Sequence, residues 1–273
     1  MVFRYLNRPR GGSTRAFDTD VLAWEAAVVA NGGSVSLARR IILDQFVFSE
    51  KASGAWALTD DYWGLWGENA PQALTSLKQL RLAVATNSPT FTADRGYVFN
   101  GTTNYVATGF IPNTHCIAAT ASNARVGAYV RSDVTGSSND FGCESSSSRR
   151  LRLNSRLATT AIVLGNVNTS TYTLPASTSL GFVAGNRNGA TAADCAAYKN
   201  GVAMTRIADA TTFGTPLPIV EMFIGGYNAA GVLTLPSTRA VGLTVVGAAL
   251  SAAQELAQYN AVQAWATSIG AQV

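Results

Sequence analysis

The texture of the chain from Asn87 onward is the feature that most constrains its fold. Gly, Ser, Thr and Asn become frequent there, and short apolar runs alternate with turn signals. Such runs, bounded by turn residues, are typical of the strands of an all-β protein. Asn200-Gly201 lies between two of them and predicts a two-residue hairpin with a type I′ turn. So many short strands favour an antiparallel two-sheet β-sandwich, or jelly roll, over a barrel of long strands.

Helical patterns lie on both sides of this β region. Capping residues around Asp18 and at Ser34 begin two helices, of which the first covers residues 21–30 and the second ends at Gly54. A last helix is expected over residues 251–269. Apolar residues recur at helical spacing in the second and last helices, at Leu37, Ile41, Ile42, Phe46 and Val47, and at Leu256, Tyr259, Val262 and Trp265 respectively.

The order of these patterns predicts a chain in three parts. Residues 1–17 form an extended, Arg-rich arm, and residues 18–86 form a helical leader packed on the sandwich. Residues 87–273 form the jelly-roll domain with its closing helix. We expect the helices to elaborate one β core, because their apolar faces need a partner surface to cover.

The composition excludes several classes of protein. With 47% hydrophobic and 13% charged residues, the chain has the reverse of the composition that keeps a protein disordered. We expect no membrane partner, because no stretch approaches the roughly 18 uncharged apolar residues of a spanning helix. We also expect no nucleic-acid partner, because the net charge is only +4 and no nucleic-acid-binding motif accompanies it.

The basic residues are unevenly divided between arginine and lysine, since Lys51, Lys78 and Lys199 are the only lysines among 20 basic residues. Arginine in such excess indicates planar, fork-shaped contacts or a GC-rich genome. Arginine is concentrated in two segments, for which we expect specific contacts. For the arginines outside these segments we expect the GC-rich genome to be the explanation.

The first segment is the N-terminal arm. We predict partner binding by Arg4, Arg8, Arg10 and Arg15, through pairing with carboxylates of a neighbouring subunit. The alternative is a solvated tail, which is the usual state of an untethered terminus.

The second segment is a predicted strand over residues 149–157. Alternation places Leu151, Leu153 and Leu157 on one face and leaves the polar residues Arg150, Arg152, Asn154 and Arg156 on the other. We predict that Arg150, Arg152 and Arg156 bind acidic groups on a sugar, a protein or nucleic acid. The alternative is a solvated strand face whose charges only maintain solubility.

Catalytic motifs are scarce, and we expect no enzyme activity, no cofactor and no metal. His115 is the only histidine, and the chain has neither a GxSxG nucleophile motif nor a phosphate-binding loop. Glycoside hydrolysis needs two carboxylates, yet no strand carries acids at alternate positions. The acids Asp133, Asp140 and Glu144 fall in a Gly/Ser-rich region and make at most a weak calcium site.

Two further groups of residues leave alternatives open. Cys116, Cys143 and Cys195 are expected to be small buried apolar residues, with an intermolecular disulfide as the alternative. The aromatic cluster is expected to anchor the helices on the core, with a sugar-stacking platform as the alternative. Its members are Trp56, Tyr62, Trp63 and Trp66.

Several short motifs resemble those of one protein family. The stretch FTADRGYVFNGTTNYV (91–106) is followed by YKNG (198–201), FIGGYN (223–228) and GAALSAAQ (247–254). Together these resemble the concanavalin A-like, laminin G-like jelly rolls of structural proteins from tailed bacteriophages. Gln254 stands where the family more often has an acid. The paired-carboxylate strand of the related glucanases has no match in this chain, so the resemblance transfers no catalytic residue.

The resemblance implies a virion component of capsid, tail or fibre, made in the host cytoplasm and often able to bind glycans. Its implied partners are other virion proteins and a host surface polysaccharide, and a homotrimer is implied by analogy. The leading hypothesis is thus a virion protein anchored by its N-terminal region and displaying a lectin-like sandwich. The alternatives are a dedicated carbohydrate-binding module and a polysaccharide depolymerase.

Overall fold

The computed structural model describes residues 16–273 and contains two β-sheets with helices at both ends of the chain. The helices are α1 Thr19–Ala30, α2 Leu37–Ser53, α3 Ala55–Leu58, α4 Ala70–Leu74, α5 Pro112–His115 and α6 Ala252–Ser268, with a 3₁₀ turn at Ala192–Asp194. The strands are β1 Thr59–Gly64, β2 Val84–Thr86, β3 Thr90–Thr92, β4 Gly96–Val98, β5 Tyr105–Ala107, β6 Asn123–Val130, β7 Phe141–Glu144, β8 Arg150–Leu157, β9 Thr160–Gly165, β10 Thr171–Thr173, β11 Gly181–Asn188, β12 Cys195–Lys199, β13 Val202–Ala203, β14 Thr205–Ala208, β15 Phe223–Ile224, β16 Tyr227–Ala229, β17 Val232–Thr234 and β18 Ala240–Gly247.

The strands form a sandwich of two sheets. The eight-stranded sheet has the order β13-β12-β11-β6-β18-β4-β3, and β1 pairs with β18 beside β4. The ten-stranded sheet has the order β14-β10-β9-β8-β7-β15-β5-β2, and the β16–β17 hairpin pairs with β7. All these pairings are antiparallel except that of β16 with β7. The predicted fold class, a mainly antiparallel β-sandwich with helices before and after it, is therefore confirmed.

The eight-stranded sheet is buried on both faces. On β6, Val126 and Ala128 point into the core between the sheets, whereas Tyr129 points into a second core beneath the helices. Strand β18 also contributes to both cores. Val241 packs between the sheets, and Leu243, on the other side of a bulge, packs under the helices. Because both faces are covered, β18 is an almost continuous apolar run.

The three long helices cover the outer face of this sheet. Asp18, Ser36 and Ser251 cap their N-termini, and α2 ends at Gly54 in the left-handed region with φ 79°. The limits at Asp18, Gly54 and Ser251 agree with the predicted ones, whereas α2 is capped by Ser36 and not by the predicted Ser34. The predicted apolar faces are partly wrong, because the buried face of each helix is set by what it contacts. Leu37, Ile41 and Leu256 are exposed, while the polar residues Glu50, Glu255 and Gln258 are buried.

The aromatic cluster belongs to the core, which confirms the anchor interpretation over the sugar-stacking one. Trp63 lies between the two sheets, and Trp56, Tyr62 and Trp66 lie between the eight-stranded sheet and the helices. Residues 59–64 of this segment form β1 and pair with β18. The segment 18–86 thus supplies strands to both sheets, β1 to one and β2 to the other.

Within residues 16–273, no helix combines the length and the apolar character needed to cross a membrane.

Candidate functional site

The arginines predicted on β8 lie at the outer face of the ten-stranded sheet and are paired with acids of the same chain. Nη2 of Arg150 is 3.0 Å from Oε1 of Glu144, and Nη1 of Arg152 is 3.3 Å from Oε2 of the same carboxylate. The antiparallel register of β7 and β8 places Glu144 directly opposite Arg150. Two guanidinium groups therefore share one carboxylate, which leaves this surface with a net positive charge.

Arg152 also stacks on an aromatic ring across the sheet. Its guanidinium carbon lies 4.6 Å from the centroid of the Tyr227 ring. Gly142, opposite Arg152 in the register, leaves room for the arginine, since a Cβ at residue 142 would come within 2.5 Å of the Arg152 Cβ. Burial lowers the pKa of Arg152, and Arg150 acts in the same direction. The surface is thus a fixed, partly desolvated arrangement.

Arg156 lies apart from this surface because β8 contains a bulge. The register with β9 shifts between Asn154 and Leu157, so an extra residue enters β8 and the alternation of faces is broken. The predicted faces are wrong beyond this point, since Leu157, predicted on the apolar face, is partly exposed. Arg156 pairs instead with Asp133, at 2.7 Å from Nη1 to Oδ1. The three predicted arginines therefore do not form one site.

A groove of about 330 Å³ lies close to Arg156, at one end of the sandwich. Its walls come from three loops, contributed by Gly101, by residues 134–138, and by Leu235, Pro236 and Thr238. The last two loops are joined by a hydrogen bond from the Asn139 N–H to the Leu235 carbonyl, at 2.9 Å. The groove is therefore formed by residues that the sequence analysis did not select.

Arg239 holds the 134–138 wall from inside the molecule. It donates to the carbonyls of Val134 at 2.9 Å, Ser138 at 3.0 Å and Gly136 at 3.3 Å. It also forms a fully buried ion pair with Asp140, at 3.1 Å from Nη1 to Oδ1. A guanidinium group can bind this many acceptors because its donors are fixed in a planar fork. The wall is thereby fixed before any ligand arrives.

The groove side of this wall is polar and uncharged. Within the described chain, the hydroxyls of Thr135, Ser137, Ser138 and Thr238 form no hydrogen bond. Val134, Leu235 and Pro236 add apolar surface beside them. Hydroxyls next to small apolar patches suit a ligand that has both hydroxyl groups and C–H faces.

Lys199 lies behind the groove and is almost completely buried. Its Nζ donates to the Ser179 carbonyl at 3.2 Å, and Ser179 N–H donates to Oδ1 of Asp133 at 2.8 Å. Burial lowers the pKa of Lys199 to about 8, against the opposing influence of Asp140 and Asp133. Lys199 is therefore charged at neutral pH although it has little contact with water.

Sequence reasoning missed Arg239, which is the central residue of this end. One signal was available, because Arg239 directly precedes the apolar strand β18. An arginine at the start of a strand buried on both faces needs internal acceptors. Which carbonyls would supply them depends on the path of a loop a hundred residues earlier in the chain.

The three acids considered as a calcium or catalytic cluster have separate roles. Asp140 is paired with Arg239, Glu144 with Arg150 and Arg152, and Asp133 with Arg156. No group of three or more potential metal ligands from His, Cys, Asp and Glu occurs within residues 16–273.

His115 and the three cysteines have structural positions in the fold. His115 ends the short helix α5, and its Nδ1 accepts a hydrogen bond from the Ile111 N–H at 2.8 Å. Cys143 and Cys195 are buried as expected, whereas Cys116 is only partly buried. Burial raises the pKa of all three thiols.

The remaining predicted residues, Arg4, Arg8, Arg10 and Arg15, lie outside the described residues. Their predicted partner binding stays a prediction.

No protein-family model and no curated protein matches the chain. Among solved structures, the sialidase of Trypanosoma rangeli is similar at 14% identity and a TM-score of 0.45, over 82% of this chain and 39% of the sialidase. Domain 4 of a GH43 extracellular arabinanase from Geobacillus stearothermophilus, in complex with arabinotriose, is similar at 10% identity and a TM-score of 0.40, over 74% of this chain and 98% of that domain. A SAP-like pentraxin from Limulus polyphemus is similar at 15% identity and a TM-score of 0.34, over 50% of this chain and 69% of the pentraxin. The chain thus spans about two fifths of the sialidase.

Proposed function

We propose that this chain is a non-catalytic glycan-binding β-sandwich carried on a bacteriophage virion. The observation that supports glycan binding is the groove, with its Arg239-fixed wall and its unpartnered hydroxyls. Retaining and inverting glycosidases place two carboxylates around the bond they cleave. The described residues that line this groove include no carboxylate, which supports binding without hydrolysis. The virion assignment is supported by the sequence motifs that resemble tailed-phage jelly rolls.

The glycan-binding part is tested with an array of bacterial surface polysaccharides. The full chain binds at least one polysaccharide at millimolar or lower concentration, and Ser137→Trp, which fills the groove, weakens that binding at least tenfold. Ser147→Trp is the matched control, because Ser147 is an exposed serine of a loop that does not line the groove. Absence of binding across the array contradicts the proposal. Release of new reducing ends from a bound polysaccharide contradicts its non-catalytic part.

The virion part is tested by co-purification with phage particles. We expect the full chain to accompany intact particles and a chain lacking residues 1–16 to be lost from them. Replacing Arg4, Arg8, Arg10 and Arg15 with serine has the same effect if these arginines make the contact, and replacing them with lysine preserves part of it because the charge remains. Full occupancy of particles by the truncated chain contradicts anchoring by the arm.

A further inference from the structure

The peptide groups of the 134–138 wall have a fixed direction. In a trans peptide the C=O and the following N–H point in opposite directions. The carbonyls of Val134 and Gly136 point at the buried Arg239 guanidinium, so the N–H groups of Thr135 and Ser137 point away from it, toward the outside of the loop. These two residues line the groove, and their N–H groups have no acceptor within the described chain.

The groove wall is therefore rich in hydrogen-bond donors. It has two outward N–H groups two residues apart, together with the hydroxyls of Thr135 and Ser137. The carbonyls of Val134, Gly136 and Ser138 are turned inward to Arg239. A carboxylate offers acceptors only, so it can accept from both N–H groups and from both hydroxyls at once. The Gly136 N–H between them donates to the Arg156 carbonyl, so a ligand has the two flanking N–H groups of Thr135 and Ser137 as its backbone donors.

The charges that support the wall favour an anion as well. Arg239, Arg156 and Lys199 contribute three positive charges, and Asp133 and Asp140 contribute two negative charges. All five hold the wall or the segments behind it. Because most of this charge is buried, it is screened by salt less than surface charge is.

We infer that the groove binds the carboxylate of an acidic saccharide, with the Thr135 and Ser137 N–H groups as its donors and the apolar surface of Val134 and Pro236 against the sugar ring. This inference rests on the proposed glycan-binding function and names the ligand class of the same groove. The carboxylate supplies acceptors for the two N–H groups, and the ring supplies C–H surface for the apolar part of the wall.

The test is an NMR titration of the full chain with glucuronate, glucose and acetate, each at millimolar concentration. Glucuronate shifts the amide resonances of Thr135 and Ser137 in a saturable way, and glucose, which lacks the carboxylate, leaves them unchanged. Acetate tests whether the sugar ring is needed. If acetate saturates the same amide shifts at the same concentration, the groove binds any carboxylate, which contradicts the inference that it binds an acidic saccharide. Equal shifts with glucose, or none with glucuronate, overturn the inference.

Two variants change the charge in opposite directions without touching the lining residues. Lys199→Met removes a positive charge and weakens glucuronate binding about three- to tenfold, as expected for a buried charge behind the groove at intermediate dielectric. Asp133→Asn removes a negative charge while its amide oxygen still accepts from Ser179 N–H, and it strengthens binding by a similar factor. Unchanged affinity in both variants, with intact amide spectra, contradicts the electrostatic part.

These results are distinguishable from failure of the proposed function. If an array polysaccharide binds and Ser137→Trp abolishes that binding, but glucuronate leaves Thr135 and Ser137 unshifted, the glycan site stands and the acidic ligand class is wrong. If no polysaccharide binds, the proposed function itself fails.

Discussion

At the scale of single residues, arginine supplies the cation of most ion pairs in the described part of the chain. The Arg125 and Glu255 side chains are fully buried and form a bidentate pair, with both N–O distances 2.7 Å. Arg187 donates to the carbonyls of Gly189 and Ala121, each at 2.7 Å. Together with Arg239, these arginines lie outside the two segments in which we expected specific roles. Their planar forks bind several acceptors at once, so genome composition is not needed to explain them.

Lys199 gives a pH-dependent prediction. Its pKa falls from 10.5 to about 8 on folding because burial disfavours the ammonium form. Below pH 8 both states are protonated and the folded state carries the full cost, about 3 kcal/mol. Between pH 8 and 10.5 the unfolded state binds more protons, so stability rises with pH.

We expect Lys199→Met to be more stable than the wild type at pH 7, and expect this difference to shrink as the pH rises toward 10.5. Urea denaturation of both proteins at pH 7, 8, 9 and 10 measures it. Because tyrosines titrate in the same range in both proteins, the difference between them isolates Lys199. A difference independent of pH means that folding does not lower the pKa of Lys199.

At the scale of elements, local turn chemistry sets the strand connections. The β12–β13 hairpin has Lys199 opposite Val202, with Asn200 at φ 51° and Gly201 at φ 76° between them. Both residues are left-handed, as a type I′ turn requires, so this prediction is confirmed. The Asn200 side chain also accepts a hydrogen bond from the Phe182 N–H at 2.8 Å. The turn is thereby attached to the neighbouring strand β11.

The hairpin also contacts α6, which makes Gly201 sensitive to substitution. A Cβ at residue 201 would lie 2.8 Å from the Leu256 Cδ1 and 2.9 Å from its Cα. We expect Gly201→Ala to destabilise the protein by about 2–4 kcal/mol, from left-handed strain together with overpacking. Gly231→Ala is the matched control, since Gly231 has φ 98° and nothing within 4 Å of its Cβ position. Equal losses for the two variants in urea denaturation would show that the contact with α6 adds nothing.

At the scale of the whole molecule, one sheet builds two cores. The eight-stranded sheet packs against the ten-stranded sheet on one face and against α1, α2 and α6 on the other. Neighbouring residues of a single strand, such as Ala128 and Tyr129, serve the two cores. Arg125 on β6 and Glu255 on α6 join the helical layer to the sheet by a buried ion pair. The helices and the sandwich are thus mechanically linked.

This architecture predicts a single cooperative unfolding transition. We expect circular dichroism, which follows the helices, and tryptophan fluorescence to give coincident curves in denaturant. Glu255→Gln should shift both curves equally, by about 3–5 kcal/mol, because it leaves the Arg125 charge buried without its partner. Glu25→Gln, in the more exposed pair with Arg40, should cost less than about 1 kcal/mol. Separate transitions, or a shift of the helical probe alone, contradict the linkage.

The sequence by itself determined the local features of this protein. The helix limits at Asp18, Gly54 and Ser251, the Asn200-Gly201 turn and the sandwich class follow from capping, turn chemistry and strand periodicity, which are set by neighbouring residues. Only the tertiary structure decided which helix faces are buried, how a bulge separates Arg156 from Arg150, and how Arg239 fixes a groove wall. These depend on contacts between residues far apart in the chain, and periodicity carries no information about which distant surface each face will meet.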